Sequence, residues 1–396
     1  MLSGCGQNLP SYRPNLLHAA SLSSGETDQA ISELAVKASE QIRVEFGPAD
    51  APIWPLNLPE AVDMKKVIRS AGPVGRDENK VERGLFSKHC VQCHGTTGDG
   101  LGPAASLLAP YPRDFRRGSF KFKSTTLGKK PTHADLVRTL EKGLTGTAMP
   151  AFGTLNNSKE FAEDIDALAH YVRFLAIRGE VERRFLHALV NDEHAPTAIA
   201  EVTKKVVESW IASESQAESF LERDANLEND NEKHVSLVAF EKGKVLFESE
   251  LTACAKCHGK AGDGQGISQD FDEWTKDWTI RAGIDPTKPS EWKPMKKFGA
   301  LKPVIDRARN LTLGAYRGGT TKADIYRRIV LGVEGSPMPA VARKEGENPG
   351  LTEEDILALV DYVFSLSRPD SVPGVVHSSA IPSLGSIAEV KNVLDK

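Results

Sequence analysis

The chain has 396 residues, 40% of them hydrophobic and 26% charged, with a formal net charge of −4. That length holds two or three domains, and the near-balanced charge argues against nucleic acid or an acidic membrane surface as a partner. No apolar run approaches the roughly eighteen residues that mark a membrane-spanning helix.

In chain order, residues 1–78 read as an N-terminal tether and arm. They hold a Ser/Asn/Pro-rich start, an amphipathic helix near Gln29–Phe46 and a Pro-rich stretch from Pro48 to Pro59 containing Trp54. The next segment, 79–180, runs through Leu85 and Phe86 to Cys90-Val91-Gln92-Cys93-His94 and a glycine-rich tail ending at Gly102. It continues through Arg113, a helix N-capped by Thr132, and the loop Gly146-Thr147-Ala148-Met149-Pro150. Its closing helix carries Ile165, Leu168, Tyr171, Val172 and Leu175, apolar residues at three- and four-residue steps that bury one face. Residues 181–236 read as a charged helical linker whose stripe of Val202, Val206, Trp210 and Ile211 packs against a neighbouring domain.

Residues 237–370 repeat the earlier segment. Gly243, Leu246 and Phe247 precede Cys254-Ala255-Lys256-Cys257-His258, Arg309 stands where Arg113 does, and Thr321 caps the helix that Thr132 caps. The loop Gly335-Ser336-Pro337-Met338-Pro339 follows, and the closing helix carries Ile356, Leu359, Tyr362, Val363 and Leu366. An insertion between Gly266 and Arg309 sets the second copy apart. It holds Trp274, Trp278 and Trp292 with Lys288, Lys293, Lys296 and Lys297, and supports two readings: a partner-docking surface, or a long loop whose tryptophans fold down over the site. Residues 371–396 read as a flexible Pro/Ser-rich tail with a short helix over Ile387–Leu394.

The doubled pentapeptide carries the chemistry. Cys-x-x-Cys-His is the attachment signature of c-type haem: two thiols form thioethers to the porphyrin edge, and the adjacent imidazole binds the iron. A zinc knuckle would want four convergent ligands, and a dithiol redox pair has no need of the histidine. Two covalent haems are therefore expected, on Cys90 and Cys93 and on Cys254 and Cys257, with His94 and His258 as iron ligands. Met149 and Met338, in Gly/Pro-rich loops rather than on apolar helical faces, are the expected ligands on the opposite sides. Met295, flanked by lysines, is the rival in the second half. Arg113 and Arg309 are expected to pair with haem propionates, since a guanidinium suits carboxylate recognition.

On these motifs, each half resembles a class I cytochrome c domain, over about residues 79–180 and 237–370. The resemblance implies an all-α fold: two such domains in tandem joined by the helical linker, each with an N-terminal helix crossing a C-terminal helix. Tyr171 and Tyr362 would be the aromatic partners at the crossings. It also implies an electron carrier with two haem c groups and their iron, passing single electrons between a quinol-oxidising complex or other donor and a terminal oxidase or reductase. The competing class is a dihaem oxidoreductase or peroxidase with one catalytic haem, for which His89, His133 and His170 are the available extra ligands.

The fifth cysteine, Cys5 in Leu2-Ser3-Gly4-Cys5, resembles the lipobox of bacterial lipoproteins, which implies lipidation and attachment to the periplasmic or outer face of a membrane. Lipidation and haem attachment both need an export leader, and the economical reading is that the true start lies upstream of Met1 or that the leader was cut away.

Overall fold

The computed structural model describes residues 11–23, 25–154, 159–191, 194–217, 235–341 and 350–372. Cys5 and the expected helix over Ile387–Leu394 lie outside them. The described chain is all-α, its strands confined to two short antiparallel pairs, Gly75–Arg76 with Glu82–Arg83 and Asp270–Phe271 with Ile305–Asp306.

The first half is organised on one long helix. The arm helices α1 (Leu16–Leu22), α2 (Asp28–Phe46) and α3 (Met64–Ser70) are followed by the motif helices α4 (Leu85–His89) and α5 (Val91–His94), then α6 (His133–Lys142) and α7 (Lys159–Val190). Helices α2, α3 and α6 all pack on α7. Ile42, Phe46, Val67, Phe86, Leu136, Tyr171 and Phe174 fall into a single core, so the arm is built into the first domain. Arg13 reaches over the motif loop, its backbone N–H donating to Thr97 Oγ1 at 2.8 Å.

Two domain boundaries drawn from the sequence need correction. The one at 78/79 cuts the turn of the Gly75–Arg76/Glu82–Arg83 pair, and the one at 180/181 cuts α7, which runs on to Val190. Composition turns charged near residue 180, but backbone hydrogen bonding does not stop there. The linker region then supplies α8 (Ala195–Gln216), which lies along α7 with Val206 and Trp210 fully buried.

The second half shows the helix crossing in full. Helix α9 (Leu237–Glu248) precedes the motif helix α10 (Cys254–His258) and crosses α14 (Glu353–Leu366), while α13 (Lys322–Leu331) packs on α14. At the crossing Gly243 touches the partner backbone: a Cβ there would collide with the Ala358 carbonyl and stand 2.7 Å from Tyr362 Cβ. Phe240 and Phe247 flank Tyr362, with ring centroids at 5.4 and 5.2 Å. In the first half Phe86 meets Tyr171 at 5.1 Å, but α4 is only five residues long, and α3 makes the larger contact with α7.

The insertion forms α11 (Glu273–Ala282), α12 (Pro289–Trp292) and a 3-10 turn, Lys293–Phe298. Trp278 and Trp292 are buried with Leu17 and Ala300, and Met295 packs beside them. They are therefore the core between α11 and the N-terminal α1, which overturns the docking reading for these two tryptophans. The insertion lies back across the first domain and joins the two halves.

Replacing Gly243 by Ala is expected to destabilise the second half by about 1–3 kcal/mol, the cost of forcing a methyl into a tight helix crossing. Denaturant unfolding followed by circular dichroism measures it, and an unchanged midpoint would contradict the packing described.

Candidate haem sites

Each motif sits on a short helical turn closed by a glycine-rich loop, and the two loops match bond for bond. Gly100 N–H donates to the His94 carbonyl at 2.9 Å and Gly264 N–H to that of His258 at 2.7 Å. Asp99 Oδ1 accepts from Leu101 N–H, and Asp263 Oδ1 from Gln265 N–H, each at 2.9 Å. Gly98 and Gly262 both have φ +70, a left-handed conformation that glycine adopts without strain. Their carbonyls accept from Phe115 N–H at 2.7 Å and Leu311 N–H at 2.6 Å, which draws the strand carrying each arginine back onto the motif.

That return fixes the imidazoles. His94 Nδ1 donates to the Arg113 carbonyl at 3.1 Å, and His258 Nδ1 to the Arg309 carbonyl at 3.0 Å. With Nδ1 so engaged, Nε2 is the nitrogen left with a lone pair, the tautomer an iron ligand needs. Burial lowers both histidines, His94 to about 4, so both are neutral at physiological pH. Burial also pushes the Cys90 thiol up to about 12.

The methionine loops repeat as closely. Leu144 N–H donates to the Met149 carbonyl, and Val333 N–H to that of Met338, each at 3.1 Å. The hydroxyls of Thr147 and Ser336 donate to the Leu144 and Val333 carbonyls and accept from the Met149 and Met338 N–H groups. The Thr/Ser pair two residues before methionine was visible in the sequence, but its role was not.

Cys90, Cys93, His94, Met149 and Pro150 line one cavity of about 520 Å³, with Phe115, Leu136, Leu140 and Val172 as apolar walls. Its far wall comes from the other half: Glu273, Trp274, Arg309, Asn310, Leu313 and Arg317. Arg309, expected beside the second motif, thus contributes to this cavity while its carbonyl holds His258. Arg113 also lines the cavity, and its guanidinium is engaged with Glu273. His89 is a wall residue lying edge-on to Phe152. His133 pairs with Asp166 at 2.6 Å, His170 Nδ1 accepts from Asp63 N–H at 3.1 Å, and neither lines the cavity.

Residues 79–172 match the family described as "Cytochrome C oxidase, cbb3-type, subunit III", and residues 240–367 the family described as "Cytochrome c". The chain is a dihaem c-type cytochrome. Its two cytochrome c domains stand in tandem, with two covalently bound haem c groups and their iron. No curated protein matches the cytochrome. Among solved structures, a chain titled "Kuenenia stuttgartiensis reducing HAO-like protein complex Kustc0457/Kustc0458" is similar at 23% identity and a TM-score of 0.44, over 72% of the cytochrome and 94% of that chain.

The residues present fit the group. A pocket with apolar walls, two thiols, a neutral imidazole and a thioether suits a porphyrin and its iron. Two buried donors in its wall, Arg317 Nε and Trp274 Nε1, have no hydrogen-bond partner in the protein and suit carboxylate groups on a haem edge. Sequence reasoning missed both. Arg317 had a detectable signal, because Gly314-Ala315-Tyr316-Arg317 parallels Gly118-Ser119-Phe120-Lys121, with a basic residue at the same step.

A partly buried ion network joins the halves beside this wall. Glu273 takes Arg113 Nη1 at 2.6 Å and Arg117 Nη2 at 2.7 Å, Asp277 takes Arg183 at 2.9 Å and Arg281 at 2.8 Å, and Lys121 meets Asp306 at 3.2 Å. Burial alone would raise the Glu273 carboxyl, but Arg113 and Arg117 more than offset it and hold it at about 2, against an ordinary 4.5. Asp277 is likewise depressed: burial opposes ionisation, and Arg183, Arg117 and Arg281 overcome it. A carboxylate with a depressed folded value stabilises the fold fully above its ordinary value and loses that contribution as pH falls through the folded one. The junction should therefore weaken between pH 4.5 and about 2. Small-angle scattering should register expansion over that window, and Glu273→Gln should flatten the dependence.

Proposed function

We propose that the cytochrome is an electron-transfer protein, passing single electrons between a respiratory donor and a terminal oxidase or reductase. Bound haem supplies one-electron chemistry at its iron. In this reading Cys90, Cys93, Cys254 and Cys257 make the thioether links, His94 and Met149 close the two faces of one site, and His258 and Met338 those of the other. Arg309, with Arg317 and the Trp274 indole, would take propionates, whereas Arg113, expected from the sequence to do the same, has its guanidinium held by Glu273. No acid or base is required; the protein's part is to hold neutral imidazoles by their Nδ1 hydrogen bonds, exclude water with Phe115, Leu136 and Val172, and counter the propionate charge.

The observation that carries this reading is the shared wall. Arg309 holds His258 by its carbonyl while lining the cavity of Cys90, Cys93, His94 and Met149, so one residue touches both sites. Adjacent sites built alike suit passage of an electron from one to the other. His/Met ligation favours a high potential, which suits the oxidase end of a respiratory chain, and the family matching the first half is itself described by a terminal-oxidase subunit.

Mass spectrometry and absorption spectra test the assignment. Wild-type protein should carry two haems, with a methionine-to-iron charge-transfer band accounting for both. Cys90→Ala with Cys93→Ala should lose one haem, and Met149→Ala should halve the band while both haems stay attached. A high-spin or bis-histidine haem in the wild type would favour catalysis instead.

The proposed location is the periplasmic or outer face of a bacterial membrane, with Cys5 as lipid anchor. No helix among the described residues is long and apolar enough to cross a membrane. If Cys5 carries the anchor, Cys5→Ala moves the cytochrome from the membrane fraction to the soluble fraction; an unchanged distribution would reject it.

A further inference from the structure

Glu273 is the first residue of α11 and belongs to neither haem motif. Its Oε2 accepts from Arg113 Nη1 at 2.6 Å, its Oε1 from Ser119 Oγ at 3.0 Å, and Arg117 Nη2 lies 2.7 Å from Oε1. The arginine it grips is the one whose carbonyl holds His94. The same carboxylate lies against Gly335, in the loop that ends at Met338, and a Cβ on Gly335 would collide with it. The preceding residue, Glu334, is held by the first half as well, by Lys123 Nζ at 3.0 Å and by Gly128 N–H at 2.7 Å.

The other methionine loop makes the reciprocal contact. Gly146 occupies in the Met149 loop the place of Gly335 in the Met338 loop, and a Cβ on it would stand 3.4 Å from Arg309 Nη1. Arg309 is the arginine whose carbonyl holds His258. Each methionine loop therefore rests on the machinery that holds the other half's histidine. On one side that contact is direct, through Arg309; on the other it passes through the Glu273 carboxylate to Arg113.

We propose that Glu273 is a positioning residue shared by both haem sites, one carboxylate that fixes the Arg113 segment holding the first site's histidine and the methionine loop of the second and so sets the redox balance of both. This deepens the two-haem reading above and rests on it. The electrostatics give the sign. A buried carboxylate favours the ferric state nearby, and here it also neutralises Arg113 and Arg117. Its removal takes that partner from Arg113 and leaves Arg117 with Asp277, a net positive change that favours the reduced form at either iron.

The test is a redox titration of the full-length holoprotein, wild type against Glu273→Gln. Haem content and the methionine-to-iron band are measured first, and a wild type lacking either fails the electron-transfer reading before any potential is taken. Glu273→Gln is expected to raise the reduced-to-oxidised ratio of both haems at a fixed potential, by several-fold to about tenfold, tenfold being about 59 mV for a one-electron couple. Glu273→Asp, which keeps the charge, should recover part of the wild-type values. Arg117→Gln removes a cation and leaves Glu273 on Arg113, so it should move both potentials the opposite way; it also serves if Glu273→Gln does not fold. Asp28→Asn, at the exposed pair with Lys297 on the same insertion, should move neither. A shift confined to one haem, or absent from both, in the folded variants overturns the proposal.

Discussion

The structure turns on a backbone carbonyl. An imidazole that is to meet a metal through Nε2 must have Nδ1 occupied by an acceptor, and both halves supply it with the carbonyl of the arginine that follows the haem loop. Much else serves that placement. Positive-φ glycines turn the loop, the Gly98 and Gly262 carbonyls draw the arginine strand back, and the closing helices press Phe86 and Tyr171, or Phe247 and Tyr362, behind the motif. The pattern survives between halves that share few side chains because it is carried largely by main-chain atoms.

This explains which parts of the architecture were legible in the sequence. Cys-x-x-Cys-His, the glycine spacing, the Thr132 and Thr321 caps and the apolar steps of the closing helices are local signals, each set by contacts within a few residues. Both threonine caps are present, and Asp135 and Asp324 complete capping boxes beyond the caps expected from the sequence. The boundaries misled for the opposite reason. Charge density changes near residue 180, but Val181, Phe185 and Leu186 stay in the same core as Phe174, and a helix continues for as long as its hydrogen bonds and caps allow. The first half's short α4 and its replacement by α3 were illegible too, since substitution of one helix for another on a shared surface leaves no periodicity at the motif.

At the sites, the residues that bind a haem by type were visible, and those that act by position were not. Cysteine, histidine and methionine announce themselves through motif chemistry. Glu273, Trp274 and Arg317 act only because the insertion folds back across a sequence separation that no spacing rule spans. The insertion's tryptophans and lysines invited a partner surface, yet Trp278 and Trp292 are buried against Leu17. Aromatic residues in a long insertion report that something is covered, without saying what.

The path of the chain through these contacts bears on how the first site closes. The wall that closes the cavity of the first motif comes from residues 273–317, and α1 packs on α11 as well as on α2 and α7. Until the insertion folds back, the first site is a half-shell open on one side. Docking of the insertion supplies the missing side. Closure of the first site is therefore a long-range event, and the arm at the beginning of the chain is held in place by a helix from the second half.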